Sequence, residues 1–502
     1  MTDIVGSLTL KELLDLRIKS GAPLLYLEGG RTIDWTEMGE MVDSRLSWFE
    51  RSGTGYGSHV VVLQRTSPSL LASMLALYKM GAVAVMPNIA STARELEYII
   101  TDSRSRLVVI DEEESLMSVA TAAQARCHQK IDVLVAGERQ NATSQAKNAP
   151  RGVVTSETPA TLLYTSGTTA DPKGVMYTHG NHVYAAETLA RIFSLSPDDR
   201  VLHHFPLYHT NGICQMLASV VSGITIVLRQ RFRSQDFHQL VESQKPTYSF
   251  LNATQIKMLL RVIDDAGLVR PKNTSLRRIG TGGEFNVDIR SRFESHHRAT
   301  LVEVYGSTES IAICCANPLS ATRPGSCGLP AMGYRMDLIP SDDGSDAGEI
   351  VLRSFSRHGL FRGYWRKPAA TRAVLRRGNY LTGDFARQDE DGYFYFLGRR
   401  GEMIKRGGEN ISPRELEAVI GEFPGVREVA VIGAKDELRD EVPVAFIVPE
   451  GSSFDLLELT EHCRVNLAAF KVPERFHTVD SIPILDTGKV DRQRLRLFEE
   501  SK

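Results

Sequence analysis

The sequence predicts an α/β protein: two α/β halves, then a small β-barrel-like region, then a short break and a compact α/β module. Three observations predict it. Apolar runs that read as strands alternate with helical periodicity over residues 60–110 and again after residue 181, which is how a largely parallel sheet is encoded. From Gly325 the pattern changes to short strands separated by turns. Beyond the glycine-bracketed break Gly398-Arg399-Arg400-Gly401, helices and strands resume in a run of about one hundred residues.

In chain order, residues 8–19 place Leu8, Leu10, Leu13, Leu14 and Leu16 against Lys11, Glu12, Asp15 and Arg17, an amphipathic helix. Leu24–Leu27 and Thr32–Trp35 form a hairpin around Gly29-Gly30, and a helix starts near Thr36. Strands at Val60–Leu63, Val83–Pro87 and Leu107–Ile110 alternate with helices at Pro68–Met80 and Thr92–Asp102. Ala136 to Ser156 is polar and aperiodic, a surface connection. Ala160–Tyr164 and Val175–Tyr177 are strands flanking a loop, and a helix over 181–193 has Asn181 as its N-cap. Strands follow at Val201–Pro206, Ile224–Leu228 and Arg277–Ile279. Short strands come next at Met336–Ile339, Glu349–Arg353 and Gly392–Leu397. The last module has helices at Pro413–Glu422 and Leu456–Phe470, strands at Glu428–Ile432 and Val442–Val448, and a basic tail.

Bulk properties narrow the function. The chain has 502 residues, 42% hydrophobic and 24% charged, with a formal net charge of −2. Near-neutral charge gives no reason to expect nucleic acid or an anionic membrane as partner. The six cysteines are scattered without a CxxC pair, as in a reducing compartment with free thiols. The N-terminus lacks a basic region followed by an apolar one, so no secretory signal is expected. Ile213–Leu228 is too broken by Gln215, Ser219, Ser222 and Gly223 to span a bilayer, and reads as a buried helix followed by a strand.

Tyr164-Thr165-Ser166-Gly167-Thr168-Thr169-Ala170-Asp171-Pro172-Lys173-Gly174 carries the strongest chemical signal. A run of hydroxyls and glycines turns side-chain oxygens and backbone N–H groups towards one point, which suits a phosphate, and Lys173 adds charge. A Walker loop needs glycine at 172, Ser or Thr at 174 and a helix afterwards. Here Pro172, Gly174 and a strand stand instead. Downstream, Val304-Tyr305-Gly306-Ser307-Thr308-Glu309 offers a hard carboxylate for Mg²⁺ (Glu309), a phosphate hydrogen bond (Thr308) and a flat face for adenine (Tyr305). Asp384, after the Thr382-Gly383 turn, supplies an acceptor pair suited to ribose hydroxyls.

The Tyr164–Gly174 run is similar to the phosphate loop of the adenylate-forming superfamily of acyl-CoA ligases, peptide-synthetase adenylation domains and luciferases. The family's usual glycine is Ala170 here. Five further motifs match in order and spacing, from about residue 10 to 495, and the chain is closest to the acyl-CoA ligases. The resemblance implies a large N-terminal domain over 1–398, a hinge at 399–401 centred on Gly401, and a small mobile C-terminal lid domain over 402–502. It implies ATP, Mg²⁺ and CoA as cofactors, with Thr165, Ser166, Gly167, Thr168, Thr169 and Lys173 on the phosphates and Glu309 on the metal. Gly283, Glu284, Tyr305, Gly306 and Thr308 are implied around the nucleotide, and Asp384 with Arg399 at the ribose. Lys405, Gly407 and Gly408 follow the hinge and are implied to meet cofactor when thioester forms. Thr169, His209, Glu309 and Lys489 are the implied catalytic set, with His209 gating the carboxylate against the thiol. The acyl pocket is implied to be lined by His209, Thr210, Asn211, Asn252, Gly282 and Gly306. Asn252 and Ala253 depart from the family's Val-Pro-Thr. Amino-acid-activating relatives have aspartate at the position of Thr210. A buried ammonium needs that counter-charge, so α-amino acids are excluded here. The implied reaction makes an acyl-AMP and pyrophosphate from a small carboxylic acid in the cytoplasm. CoA then takes the acyl group; the alternative acceptor is the phosphopantetheine of an acyl carrier protein. The chain is expected to be a monomer or homodimer without a membrane segment. A catalytically silent nucleotide-binding protein is the reading from another class, and the intact Lys173, Glu309, Asp384 and Lys489 oppose it.

Overall fold

The computed structural model describes residues 8–136, 149–165, 172–266, 274–282, 287–311, 313–341, 346–406, 409–436, 439–451, 454–467, 469–485 and 489–501. Two sheets make the large part of the molecule. In the first, Asp132–Ala136, Leu107–Asp111, His59–Leu63, Val83–Met86, Pro159–Thr165 and Lys173–Thr178 lie in that order. All pairings are parallel except the last. The second is parallel from Thr300–Gly306 through Arg278–Thr281, Tyr248–Phe250, Arg200–His203 and Thr225–Leu228 to Pro23–Tyr26. Antiparallel strands close its two edges. The N-terminal hairpin therefore belongs to the second half's sheet, where Leu25 pairs with Ile226. Arg17, in the helix Leu10–Ile18 before it, donates to the carbonyls of Val220 and Val221.

One apolar core joins residues of both sheets through the helices Pro68–Met80, His179–Ile192 and Thr210–Ser222. Each is buried on nearly every side, as a layer between two sheets requires. The sequence encodes their ends locally. Ser67 caps the first and Pro68 occupies its first turn. Thr178, not Asn181, caps the second; Asn181 lies three residues on and returns a bond from its side chain to the Thr178 N–H. Misreading that cap by three residues is the cost of seeing an Asn without the Thr that pairs with it in a capping box.

The short-strand region is a five-stranded antiparallel sheet, including Ala347–Ser354, Asn379–Gln388 and Phe394–Arg399. A second five-stranded sheet carries the C-terminal part, where Val426–Asp436 pairs along its length with Asp440–Pro449. Two expectations fail there. The helix after Leu456 ends at Asn466. The basic tail is a helix, Arg492–Glu500, capped by Asp491 and burying Leu495. Its arginines sit on a helical face, which a count of charges conceals. All six cysteines are free. Among the described residues, no helix is long and apolar enough to cross a membrane.

Burial has a titration consequence. Desolvation lowers the pKa of His179 and His203 to about 4 and that of His182 and His204 to about 3. On acidification, the unfolded chain binds protons that these folded rings refuse. Each therefore removes on the order of 1 kcal/mol of stability per pH unit below about 6.5. Melting temperature should fall by at least about 5 °C between pH 7 and pH 5. A flat profile across that interval would contradict the neutral burial of these rings.

Candidate active site

The strand Pro159–Thr165 turns back into Lys173–Thr178, pairing Tyr164 with Gly174 and Thr165 with Lys173. The glycine-rich loop is thus a strand-to-strand connection, and residues 166–171, with Ser166 to Ala170, lie outside the described residues. Its base is anchored by side chains that no motif announces. The Tyr98 hydroxyl donates to the Pro172 carbonyl at 3.0 Å, and the Tyr164 hydroxyl to Asp102 at 2.8 Å. Trp365 Nε1 donates to the Asp102 carbonyl at 3.0 Å. A side chain at Gly174 would crowd this anchor, since a Cβ would stand 3.1 Å from the Tyr164 ring and 3.4 Å from Trp365 Cβ.

Lys173 lies over the Tyr364 ring, 5.2 Å from its centroid, and the Tyr364 hydroxyl donates to Glu309 Oε1 at 2.8 Å. One tyrosine thereby links the lysine and the carboxylate singled out from separate motifs. Tyr364 is held by its own backbone, since the flanking Arg362 and Trp365 N–H groups bond Met176 and Gly174. Tyr177, fully buried, donates to the Thr308 carbonyl and accepts from the Thr210 hydroxyl at 3.1 Å. Two motifs thus meet on one oxygen of the strand that follows the glycine-rich run.

Asp384 is buried and held from two sides. Tyr305 donates its hydroxyl to Oδ2 at 2.6 Å, and Arg399 Nε donates to Oδ1 at 2.8 Å. Gly383, with φ at +72°, makes the turn that presents it. The carboxylate's charge raises the Arg399 pKa further, and burial does the same for Tyr305. Tyr305 is itself buried, so much of its ring is committed to packing beside Phe396. Gly306 is exposed at the end of the same strand.

His209 and Thr210 begin the helix Thr210–Ser222, and His209 occupies the N-cap position without a side-chain capping bond. Gly212 lets the preceding loop close, because a Cβ there would meet the Pro206 carbonyl at 2.1 Å. Asn211 and Gln215 share a face of this helix one turn apart. The Nδ2 of Asn211, both amide atoms of Gln215 and the hydroxyls of Thr281 and Tyr248 are buried without a protein hydrogen bond. Asn252, expected in the acyl pocket, also takes part in a helix cap. Its Oδ1 accepts from the Gln255 N–H and its own N–H bonds Gln255 Oε1, which caps the helix Ala253–Ala266. Gly282 is exposed with Phe250 3.7 Å from where its Cβ would be. Gly283 and Glu284 lie outside the described residues.

The C-terminal part approaches from the Asp384 side. The Lys489 carbonyl accepts from the Leu485 N–H. Its ammonium faces Arg399, Arg414, Asp384 and Glu402, and its pKa is lowered, first by desolvation and then by the two guanidinium charges. The side chain keeps solvent access, yet enough protein surrounds its tip to thin the water there. Arg414 lies over the Phe396 ring at 4.5 Å, Ser412 bonds the Leu397 carbonyl, and Arg261 reaches Glu428 at 3.4 Å. Between these parts, Gly401 has open space around it and no positive φ, and its carbonyl accepts from Arg496. The residue that needs to be glycine is Gly398, with φ at +147° and Met403 Sδ 3.3 Å from a Cβ. Lys405 pairs in register with Asn410 and its side chain is exposed; Gly407 and Gly408 are outside the described residues.

Separate motifs thus converge at the carboxyl ends of parallel strands, where open α/β sheets bind ligands. The AMP-binding enzyme family matches residues 17–365, and the AMP-binding enzyme C-terminal domain matches 415–489. This chain belongs to the AMP-binding enzyme family. It is an AMP-forming acid–thiol ligase of the acyl-CoA synthetase type, using ATP and CoA. A 2-succinylbenzoate–CoA ligase of Geobacillus kaustophilus is 30% identical, over 93% of this chain and 94% of the relative. An indoleacetate–CoA ligase of Aromatoleum aromaticum is 31% identical, over 93% of each. Among solved structures, ATP-bound MatB from Rhodopseudomonas palustris superposes with a TM-score of 0.85 at 26% identity, covering 98% of this chain and 99% of that one.

Asp384→Asn should weaken ATP binding about tenfold or more, since a charged hydrogen bond to a buried carboxylate is worth about 1.5–3 kcal/mol. The check is ATP affinity by calorimetry on a folded variant. Unchanged affinity would remove Asp384 from the nucleotide site.

Proposed function

We propose that the chain activates a small carboxylic acid bearing a polar substituent, by adenylation with ATP in the cytoplasm, and passes it to CoA. The observation that carries the adenylation step is the position of Lys489, turned towards Asp384 and Arg399. The acid is already ionised at neutral pH, so no base is needed for the first step. A carboxylate oxygen attacks the α-phosphorus, the bond to the β-phosphate oxygen breaks, and pyrophosphate leaves. The obstacle is repulsion between two anions, and Lys173 and Lys489 offset it where charge accumulates. The partly exposed Glu309 carboxylate fits Mg²⁺, which when bound would neutralise phosphate oxygens. The phosphate loop, with Thr165 to Thr169, positions the nucleotide. The C-terminal domain then turns about residues 399–401, withdrawing Lys489 and bringing Gly407-Gly408 in. As His209 clears its path, the CoA sulfur attacks the anhydride carbonyl, its proton passes to solvent, the acyl C–O bond breaks and AMP leaves.

The polar substituent is argued from the unpartnered amides of Asn211 and Gln215. Buried polar groups cost about 1–3 kcal/mol each when left unpaired, so a ligand that pairs them is favoured over an alkyl chain. The relatives named for 2-succinylbenzoate and 3-hydroxybenzoate support functionalised acids. Thr210 spends its proton on Tyr177 and brings no charge for an α-ammonium.

Two experiments test this reading. Lys489→Ala should lower pyrophosphate release at least about a hundredfold while sparing thioester formation from supplied acyl-AMP; equal loss in both halves would overturn the lysine's role. Gly401→Pro should adenylate normally and transfer slowly, because proline fixes φ near −65° at the turning point. A folded Gly401→Pro variant with normal thioester formation would move the hinge elsewhere, Gly398 being the other glycine in the break.

A further inference from the structure

Away from the nucleotide side, the helices Ser234–Gln244 and Val287–His297 bring three imidazoles together. His238, His296 and His297 each offer a ligand nitrogen within 4.8 Å of the other two. His297 is fully specified. Its Nδ1 donates to the Phe293 carbonyl at 3.1 Å, and since a carbonyl only accepts, Nε2 carries the lone pair. That Nε2 stands 3.2 Å from His238 Nε2. The ring is wedged between Phe293, stacked at 4.1 Å, and Phe237 at 6.0 Å, so its direction is fixed in advance.

The spacing discriminates between a chance cluster and a ligand set. Three imidazoles sharing one tetrahedral ion at about 2.05 Å hold their nitrogens about 3.3 Å and their ring centroids about 5.3 Å apart. The observed centroid separations are 5.2, 5.6 and 5.0 Å. His296 and His297 also close the last turn of their helix, where carbonyls and the macrodipole favour a cation.

We propose that His238, His296 and His297 form a site for one divalent transition-metal ion of the Zn²⁺ class, bracing the two helices. Three imidazole nitrogens select borderline d-block ions over Mg²⁺ and Ca²⁺, which take oxygen ligands, so the site is separate from the metal that accompanies ATP. The brace acts on a sensitive segment. The helix Val287–His297 leads directly into Thr300–Gly306, the strand that delivers Tyr305.

The test uses tag-free, full-length protein in excess Mg²⁺, with Zn²⁺ added against a chromophoric chelator. One Zn²⁺ per chain is expected by elemental analysis, with a rise in melting temperature, and Co²⁺ in its place should give the intense visible bands of tetrahedral coordination. His238→Gln should weaken Zn²⁺ binding at least tenfold and abolish the thermal shift; His296→Gln, on the other helix, should do the same and guards against a misfolded first variant. No stoichiometric uptake, or uptake unchanged in the folded variants, would overturn the site.

Discussion

The active-site region depends on one buried hydroxyl. Tyr177 lies on the edge strand of the first sheet, yet its oxygen serves Thr308 and Thr210, which follow strands of the second. A phenol in this position is costly unless its bonds are made, so the two sheets keep a relative placement that satisfies it. Tyr364 repeats the logic nearby, resting on Lys173 and bonding Glu309 from a chain segment that pairs with the same edge strand. One tyrosine ring thus touches both the Lys173 ammonium and the Glu309 carboxylate.

Across the site, charge is organised around a buried anion. Asp384 is neutralised by Arg399 and held by Tyr305, so its geometry is set in advance of any ligand. Lys489 sits in the field of this anion and of two repelling guanidinium groups. In the reaction proposed above, an incoming triphosphate would relieve that repulsion and so couple the position of the proposed lid to nucleotide occupancy.

What the sequence discloses and what it hides follow a physical divide. The strand-loop-strand around Lys173, the turn before Asp384 and the buried helix after His209 are encoded by neighbours in the chain, and they were legible. The placement of Tyr98, Asp102, Trp365 and Tyr364 arises from packing between distant segments, so no local pattern announces them. Asn252 shows a different gap: family position suggests a pocket residue, and its reciprocal pair with Gln255 adds a helix cap that the family position does not announce. Gly401 departs from the family's usual residue, and in this conformation the positive φ belongs to Gly398, which no motif singles out. The histidine cluster joins residues 238, 296 and 297, and only the last two are neighbours in sequence.

The N-terminal hairpin has a consequence for biosynthesis. Pro23–Tyr26 forms its inner sheet bonds with Thr225–Leu228, and the helix before it is pinned to Val220 and Val221. At a translation rate of about 5–20 residues per second, this segment waits roughly 10–40 seconds for its partner strand. During that interval Leu24, Leu25 and Ile33, all buried in the finished protein, have no sheet to join. A fragment ending before residue 220 therefore lacks the strand and carbonyls that seat this hairpin and the helix before it.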